Sequence, residues 1–243
     1  MGITITNQVQ TILSFSKVNR TRKKNLSILY VDTDRAWRGG QEQLFSLITG
    51  MRSRGHRVCI AAPVNTPMID RSQQMGISIF PFRQRSELSP LAFYRLYKIL
   101  TQKNFHIVHL NGPRAVLCAG LATYMAGVPV RVVSRRVNFP LKSRFSRIKY
   151  NWGETPIITV SASIGRTLLI GGVQPQLINL IYESVDLDWI DRQPKTSLET
   201  GNKLVVGTVA HMSQEKGHRT LLEAAAQVIP KFPKVKFVLV GSG

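Results

Sequence analysis

From Ser27 onward, short apolar runs alternate with stretches in which apolar residues recur at three- and four-residue spacing. "SILYV", "VCIAAP", "GISIF", "HIVHL", "VRVVS" and "PIITV" are apolar almost throughout, and "LINLIY" closes the series. Runs of this length and composition predict strands buried on both faces. Between them, Leu44, Leu47, Ile48 and Met51 predict one helix. Leu91, Tyr94, Leu96 and Leu100 predict another, opened by Ser89-Pro90 as cap and first-turn proline. A Gly- and Ala-containing segment from about Arg114 to Ala126 predicts a helix packed closely on the sheet, and Ser161 or Ser163 can cap a further short one. Strands joined by helices in this order predict a parallel α/β sheet covered on both faces.

A polar stretch, "DRQPKTSLETGN", interrupts the pattern and reads as a linker. Beyond it, "KLVVGTVA" and "KFVLVG" predict two parallel strands joined by a helix whose core face is Leu221, Leu222, Ala225, Val228 and Ile229. One strand-helix-strand unit of this size cannot bury both faces of its own sheet. The expected organisation is a basic leader over 1–26, a first domain over 27–190, a linker over 191–202 and an incomplete second domain over 203–243.

Charge adds a second layer. The 243 residues carry 33 Lys and Arg against 13 Asp and Glu, a net charge of +20. The imbalance implies contact with anions: nucleic acid, anionic lipid or phosphorylated small molecules. It is concentrated, since no acid occurs between Glu87 and Glu154. That stretch reads either as a solvated basic face or as a surface toward anionic lipid or a phosphorylated acceptor. The leader also lacks acids and carries Lys17, Arg20, Arg22, Lys23 and Lys24, as a transit peptide or a disordered basic arm would. Cys59 and Cys118 sit in apolar runs with neither metal-like nor catalytic context. No aromatic-basic stacking motif or helix-turn-helix is visible, so nucleic acid is not the expected partner.

In parallel sheets ligands bind beyond the carboxyl ends of the strands. The loops to watch are therefore "DTDRAWRGG", "AAPVNTP", "NGPR", "SRRVNFP" and "YESVD". Gly39-Gly40 precede a helix, where they either let a backbone approach a ligand or make a tight turn. They form neither a phosphate loop ending in Gly-Lys-Ser nor the three-glycine dinucleotide pattern. His109 and Asn111 end the fourth strand, where a histidine either takes part in binding or is a satisfied structural group. Arg135 and Arg136 end the fifth, and paired guanidinium groups suit phosphate or carboxylate. In "AHMSQEKGH", Lys216-Gly217 stand at a helix mouth, where free amides and the dipole favour anions. An ordinary turn with a solvated lysine is the plainer explanation. No Ser-His-Asp order, carboxylate pair or zinc spacing stands out.

Taken together, "RGGQEQ", "LITGMRSRGHRVCIAAP", "FHIVHLNGPRA", "AGVPVRVVSRR", "ITVSASIGRTLL", "INLIYESVDLD" and the segment from "VGTVAHMSQEKGH" to "VLVGSG" resemble, in order, the blocks of the retaining GT-B glycosyltransferases of family 4. The resemblance runs from about Ser27 to the end. It implies two Rossmann-like domains with a cleft between them, the first complete and acceptor-binding, the second donor-binding and here represented by its first βαβ unit. The full-length protein would transfer a sugar from a nucleotide-sugar donor to a lipid-linked or saccharide acceptor, in cell-surface polysaccharide or lipopolysaccharide synthesis. It would do so without metal or cofactor, in the cytoplasm or peripherally on the inner face of the plasma membrane. A non-catalytic acceptor-binding subunit of a split transferase is the alternative, and a basic nucleic-acid-binding module a more distant one.

By the same resemblance, Lys216, Gly217, Gly39 and Gly40 would contact the donor diphosphate, and His109, Asn111, Arg135 and Arg136 the acceptor. No catalytic residue is assigned. The family pattern continues beyond "LVGSG", and the missing part would carry the glutamates that hold the donor. The chain alone is therefore expected to be inactive. Three departures stand out. His211 occupies the usual place of an arginine partner for the lysine. Asn111, and then Ser134, Arg135 and Arg136, stand where histidines are common. Ser184 replaces a glycine, which would strain a left-handed backbone there.

Overall fold

The computed structural model describes residues 25–83, 89–141, 143–194 and 204–242. Nearly all of the leader, most of the linker, Glu87 and Lys142 lie outside them. The chain divides into two compact units, residues 1–185 and 186–243.

In the first unit the strands are β1 (Ser27–Asp32), β2 (Arg57–Pro63), β3 (Ser78–Phe82), β4 (Ile107–Asn111), β5 (Val130–Arg135), β6 (Ile157–Thr159) and β7 (Ile178–Leu180). All pair in parallel, in the order β3-β2-β1-β4-β5-β6-β7. The connecting helices are α1 (Gly39–Ser53), α2 (Pro67–Gln74), α3 (Pro90–Gln102), α4 (Pro113–Met125), α5 (Arg144–Asn151) and α6 (Ala162–Ile170). Every residue of β1 is buried, as the unbroken apolar run requires of a central parallel strand.

Alternation along the strands builds two cores. Ile28, Tyr30, Val58 and Ile60 face Leu44 and Ile48 of α1 and Met68 of α2. Leu29, Val31, Leu110 and Val133 face the other way, onto Leu96 of α3 and Ala115, Ala119 and Ala122 of α4. The alanines of α4 let its backbone approach the sheet. Cys59 and Cys118 are buried there as free thiols, and burial pushes the Cys118 thiol up to about 11.

In this unit side-chain caps fix three helix starts: Ser89 accepts from the Ala92 amide, Ser143 from Ser146 and Ser161 from Ile164. The α3 stripe differs from the expected one. Ala92, Leu96 and Leu100 are buried at four-residue spacing, while Leu91 and Tyr94 fall outside that stripe and face solvent. Both sheet edges are short, and β3 carries Pro81, which cannot donate to a further strand.

The second unit contains α7 (Leu187–Asp191), β8 (Val205–Val209), α8 (His218–Val228) and β9 (Lys236–Val240). β8 and β9 pair in parallel as a two-stranded sheet. Of the expected α8 core face only Ala225 is buried, and Leu222 and Ile229 are exposed.

Candidate functional site

Strand order reverses between β1 and β4, so the chain leaves the sheet in opposite directions there and opens a crevice at the carboxyl ends. The register pairs Asp32 with Asn111, and Asn111 with Ser134, which puts three polar strand ends side by side. Gly112 follows with φ 89°, a left-handed turn that glycine takes without strain, and Pro113 starts α4.

A connected polar network fills the crevice floor. Asn111 Nδ2 donates to Asp32 Oδ1 at 3.1 Å. Gln41 Nε2 reaches both Asp32 oxygens at 3.4 Å and Asp34 Oδ2 at 3.2 Å. Arg136 donates to the Asn111 side-chain oxygen and forms an ion pair with Glu183. Gln43 Nε2 donates to the Ser184 carbonyl at 2.8 Å, tying the end of this unit to α1. Asp32 is buried, and burial pushes its carboxyl up to about 6; Asp34 adds to the rise, while the Asn111 and Gln41 hydrogen bonds oppose it.

Gly39 and Gly40 are the first two residues of α1. Neither has positive φ, so backbone freedom is not what glycine supplies there. The fold does not require glycine for space either: a Cβ on Gly39 would meet nothing within 4 Å, and one on Gly40 would lie 3.4 Å from Arg136 Cδ. His109 is buried against Tyr30, with ring centroids 5.4 Å apart, and its Nε2 lies 2.7 Å from Ser134 Oγ. Burial first, then the Arg136 charge, lowers its pKa to about 3, so it is neutral at pH 7.

Arg135 and Arg136 diverge, as successive residues of an extended chain must. Arg136 joins the crevice network. Arg135 is 3% exposed and donates to Tyr150 Oη at 2.7 Å and to the Phe139 carbonyl. The two therefore do not form the paired anion fork that their adjacency suggested. Ser184 is not among the non-glycine residues with positive φ, which are Asn65 and Glu154 among the described residues, so the expected strain is absent.

Lys216 and Gly217 belong to the second unit. Lys216 ends the short turn Gln214–Lys216, and Gly217, at φ 69°, turns the chain into α8, which has no side-chain cap. His218 Nε2 lies 2.9 Å from the His211 carbonyl, so at His211 the backbone, not the ring, makes this contact. An open depression lined by Met212, Ser213, Gln214, His218 and Arg219 lies beside the turn.

Asp32, Gln41 and Glu183 were not singled out in the sequence. Asp32 and Glu183 do lie in the strand-end loops "DTDRAWRGG" and "YESVD". Gln41, an amide inside the first turn of a helix, gave no signal of its own. Among the described residues no group of three His, Cys, Asp or Glu could hold a metal ion.

Residues 37–189 match the model of Glycosyltransferase Family 4. The chain is 24% identical over 188 residues to EpsF of Bacillus subtilis (strain 168), described as a glycosyltransferase; the match covers 70% of this chain and 49% of EpsF. The chain thus spans about half the length of that curated relative. The fold matches Anabaena HepE, solved with UDP and glucose, at TM-score 0.70 and 19% identity over 90% of this chain and 61% of HepE. It matches a glycosyltransferase of Rickettsia africae ESF-5 at TM-score 0.70 and 17% identity, over 89% of this chain and 69% of that one.

Proposed function

The chain belongs to glycosyltransferase family 4 and has its GT-B fold, and from that premise we propose that the whole protein moves a sugar from a nucleotide-sugar donor to a saccharide or lipid-linked acceptor, with retention, in cell-surface polysaccharide or lipopolysaccharide synthesis. The observation that carries the reading is the polar network Gln41–Asp32–Asn111–Arg136–Glu183 at the switch point, within or beside the family-matched residues. A uridine diphosphate sugar is the donor class favoured, because HepE was solved with UDP and glucose.

In this reading Asn111 and Arg136 meet the acceptor. His109 and Arg135 support the strands that carry them, since both are buried with partners of their own. Gly39 and Gly40 leave room over the start of α1 for a phosphate to approach backbone amides. Lys216, beside the left-handed Gly217, supplies positive charge to the diphosphate as it leaves. The acid-free stretch between Glu87 and Glu154 faces an anionic membrane, on the inner face of the plasma membrane.

The test uses the full-length protein with UDP-glucose and other nucleotide sugars. Lys216→Ala should lower turnover by about 30- to 1,000-fold with a smaller change in donor KM. Arg136→Ala should weaken acceptor use while donor affinity stays near normal. Full turnover in Lys216→Ala would remove the diphosphate role, and lost donor binding in Arg136→Ala would move Arg136 from the acceptor to the donor.

A further inference from the structure

The first unit holds a second concavity, on the sheet face opposite His109 and Asn111. Leu110 lies between those two residues in β4 and points the other way, into the core that also contains Val133. Leu110 and Val133 form the floor of a cavity of about 350 Å³. α4 supplies one wall through Leu121 and Tyr124, and α5 with the following turn supplies the other through Ile148 and Trp152. The volume is at the lower end of ligand pockets.

Its mouth is apolar and aromatic where a soluble surface is ordinarily polar. Leu121 is 44% exposed, Tyr124 50%, Ile148 62% and Trp152 41%. The Tyr124 and Trp152 rings lie 4.7 Å apart. Tyrosine and tryptophan suit a boundary that is greasy on one side and wet on the other. A contiguous exposed patch of this kind marks a contact surface.

The charge around it has one sign. Arg131 and Lys149 belong to the lining, which contains no carboxylate. The nearest acid in sequence, Glu154, is exposed between two lining residues. Arg131 is held in place: it donates to the Gly153 carbonyl at 2.8 Å and lies over the Tyr124 ring at 5.4 Å. Behind Tyr150, which also lines the cavity, sits the buried Arg135 guanidinium, bonded to that phenol. Among the described residues no carboxylate forms a salt bridge with Arg135. A buried cation without a carboxylate is costly, and a nearby anion offsets that cost.

We propose that this cavity takes one acyl chain of an anionic phospholipid from a bilayer, with the lipid phosphate held at the rim by Arg131 and Lys149. The proposal rests on the membrane reading above and gives it a place and a ligand. It needs no membrane-crossing segment, and no helix among the described residues is long and apolar enough to cross one.

The test uses the 243-residue chain and vesicles of phosphatidylglycerol with phosphatidylcholine whose acyl chains are brominated, read by co-sedimentation and by quenching of tryptophan emission. The wild type should sediment and be quenched, and Trp152→Phe should remove most of the quenching. Gly120→Leu fills the cavity from α4, where a Cβ meets only Val116 Cγ1 at 3.9 Å, and should abolish quenching. Lys149→Glu reverses the charge at the rim and should weaken sedimentation roughly 5- to 30-fold. Quenching that persists unchanged in Gly120→Leu, or equal quenching by pure phosphatidylcholine, overturns the cavity while leaving electrostatic docking intact. No sedimentation at all overturns both the cavity and the membrane reading. UDP titration of the full-length protein tests the transferase reading separately.

Discussion

Val133 and Val206 are both valines inside parallel strands, yet one is 3% exposed and the other 36%. Val133 has a strand on each side, pairing with Leu110 and Ile157, and α4 above it. Val206 has one partner, Phe237. Among the described residues every buried hydrophobic side chain but Ala225 lies in the first unit. The two units share the same strand-helix-strand composition. What separates them is the number of neighbours each apolar face finds, and burial follows neighbours, not hydrophobicity.

The largest expected consequence is selective proteolysis. Limited digestion should remove the residues beyond Asp186 and leave the first unit whole, and amides of β8 and β9 should exchange far faster than those of β1 and β4. Equal protection of the two units would break the comparison. Single truncations sharpen it. Ile60→Ala, at a fully buried site of β2, should cost about 2–5 kcal/mol. Leu239→Ala, at a half-buried site of β9, should cost under about 1 kcal/mol of its own unit's stability.

The same contrast holds inside the first unit for neighbouring residues of one type. Arg135→Ala should cost about 2–4 kcal/mol, because it leaves a cavity and an unpaired Tyr150 phenol. Arg136→Ala should stay within about 1 kcal/mol, since its ion pair with Glu183 is part-exposed. Urea unfolding of both variants decides it, and equal losses would mean the two arginines share one environment.

A further contrast inside the first unit concerns pH. Asp32 has a folded-state pKa raised to about 6, so the folded state holds its proton more tightly than the unfolded chain. Its contribution is present below the ordinary carboxylate range and is lost as pH rises toward 6, on the order of 2–3 kcal/mol. His109, lowered to about 3, works in the opposite sense: its contribution is present above the ordinary imidazole range and is lost as pH falls toward 3. The two oppose each other between about pH 4 and 6. Asp32→Asn should therefore make first-unit stability rise more steeply with pH across that window, as followed by urea midpoints. An unchanged slope would mean Asp32 titrates normally.

The sheet was legible because an unbroken apolar run such as "SILYV" has few other uses, and the strand ends then located the crevice loops. Lys216 and Gly217 could be placed at a helix mouth for the same reason. Side-chain direction was not legible. Arg135 and Arg136 are adjacent and chemically identical; the extended chain sends them apart, and the buried one meets Tyr150, fifteen residues on. α2, α5 and α7 were missed because they are short and lack a long apolar stripe. The cavity was invisible for another reason: Leu121, Tyr124, Ile148 and Trp152 come from two helical segments and a turn that no local pattern relates.

The strand order has a consequence for how the protein is made. β1 emerges first and ends up central; β2 and β3 then extend one flank, and β4 to β7 extend the other. Each new strand meets an edge that already exists, so none must be threaded between two partners. A chain leaving the ribosome can build this sheet outward in the order of synthesis. The two edges of the finished sheet are also the strands least able to recruit a stranger: β3, with its proline, and β7, three residues long.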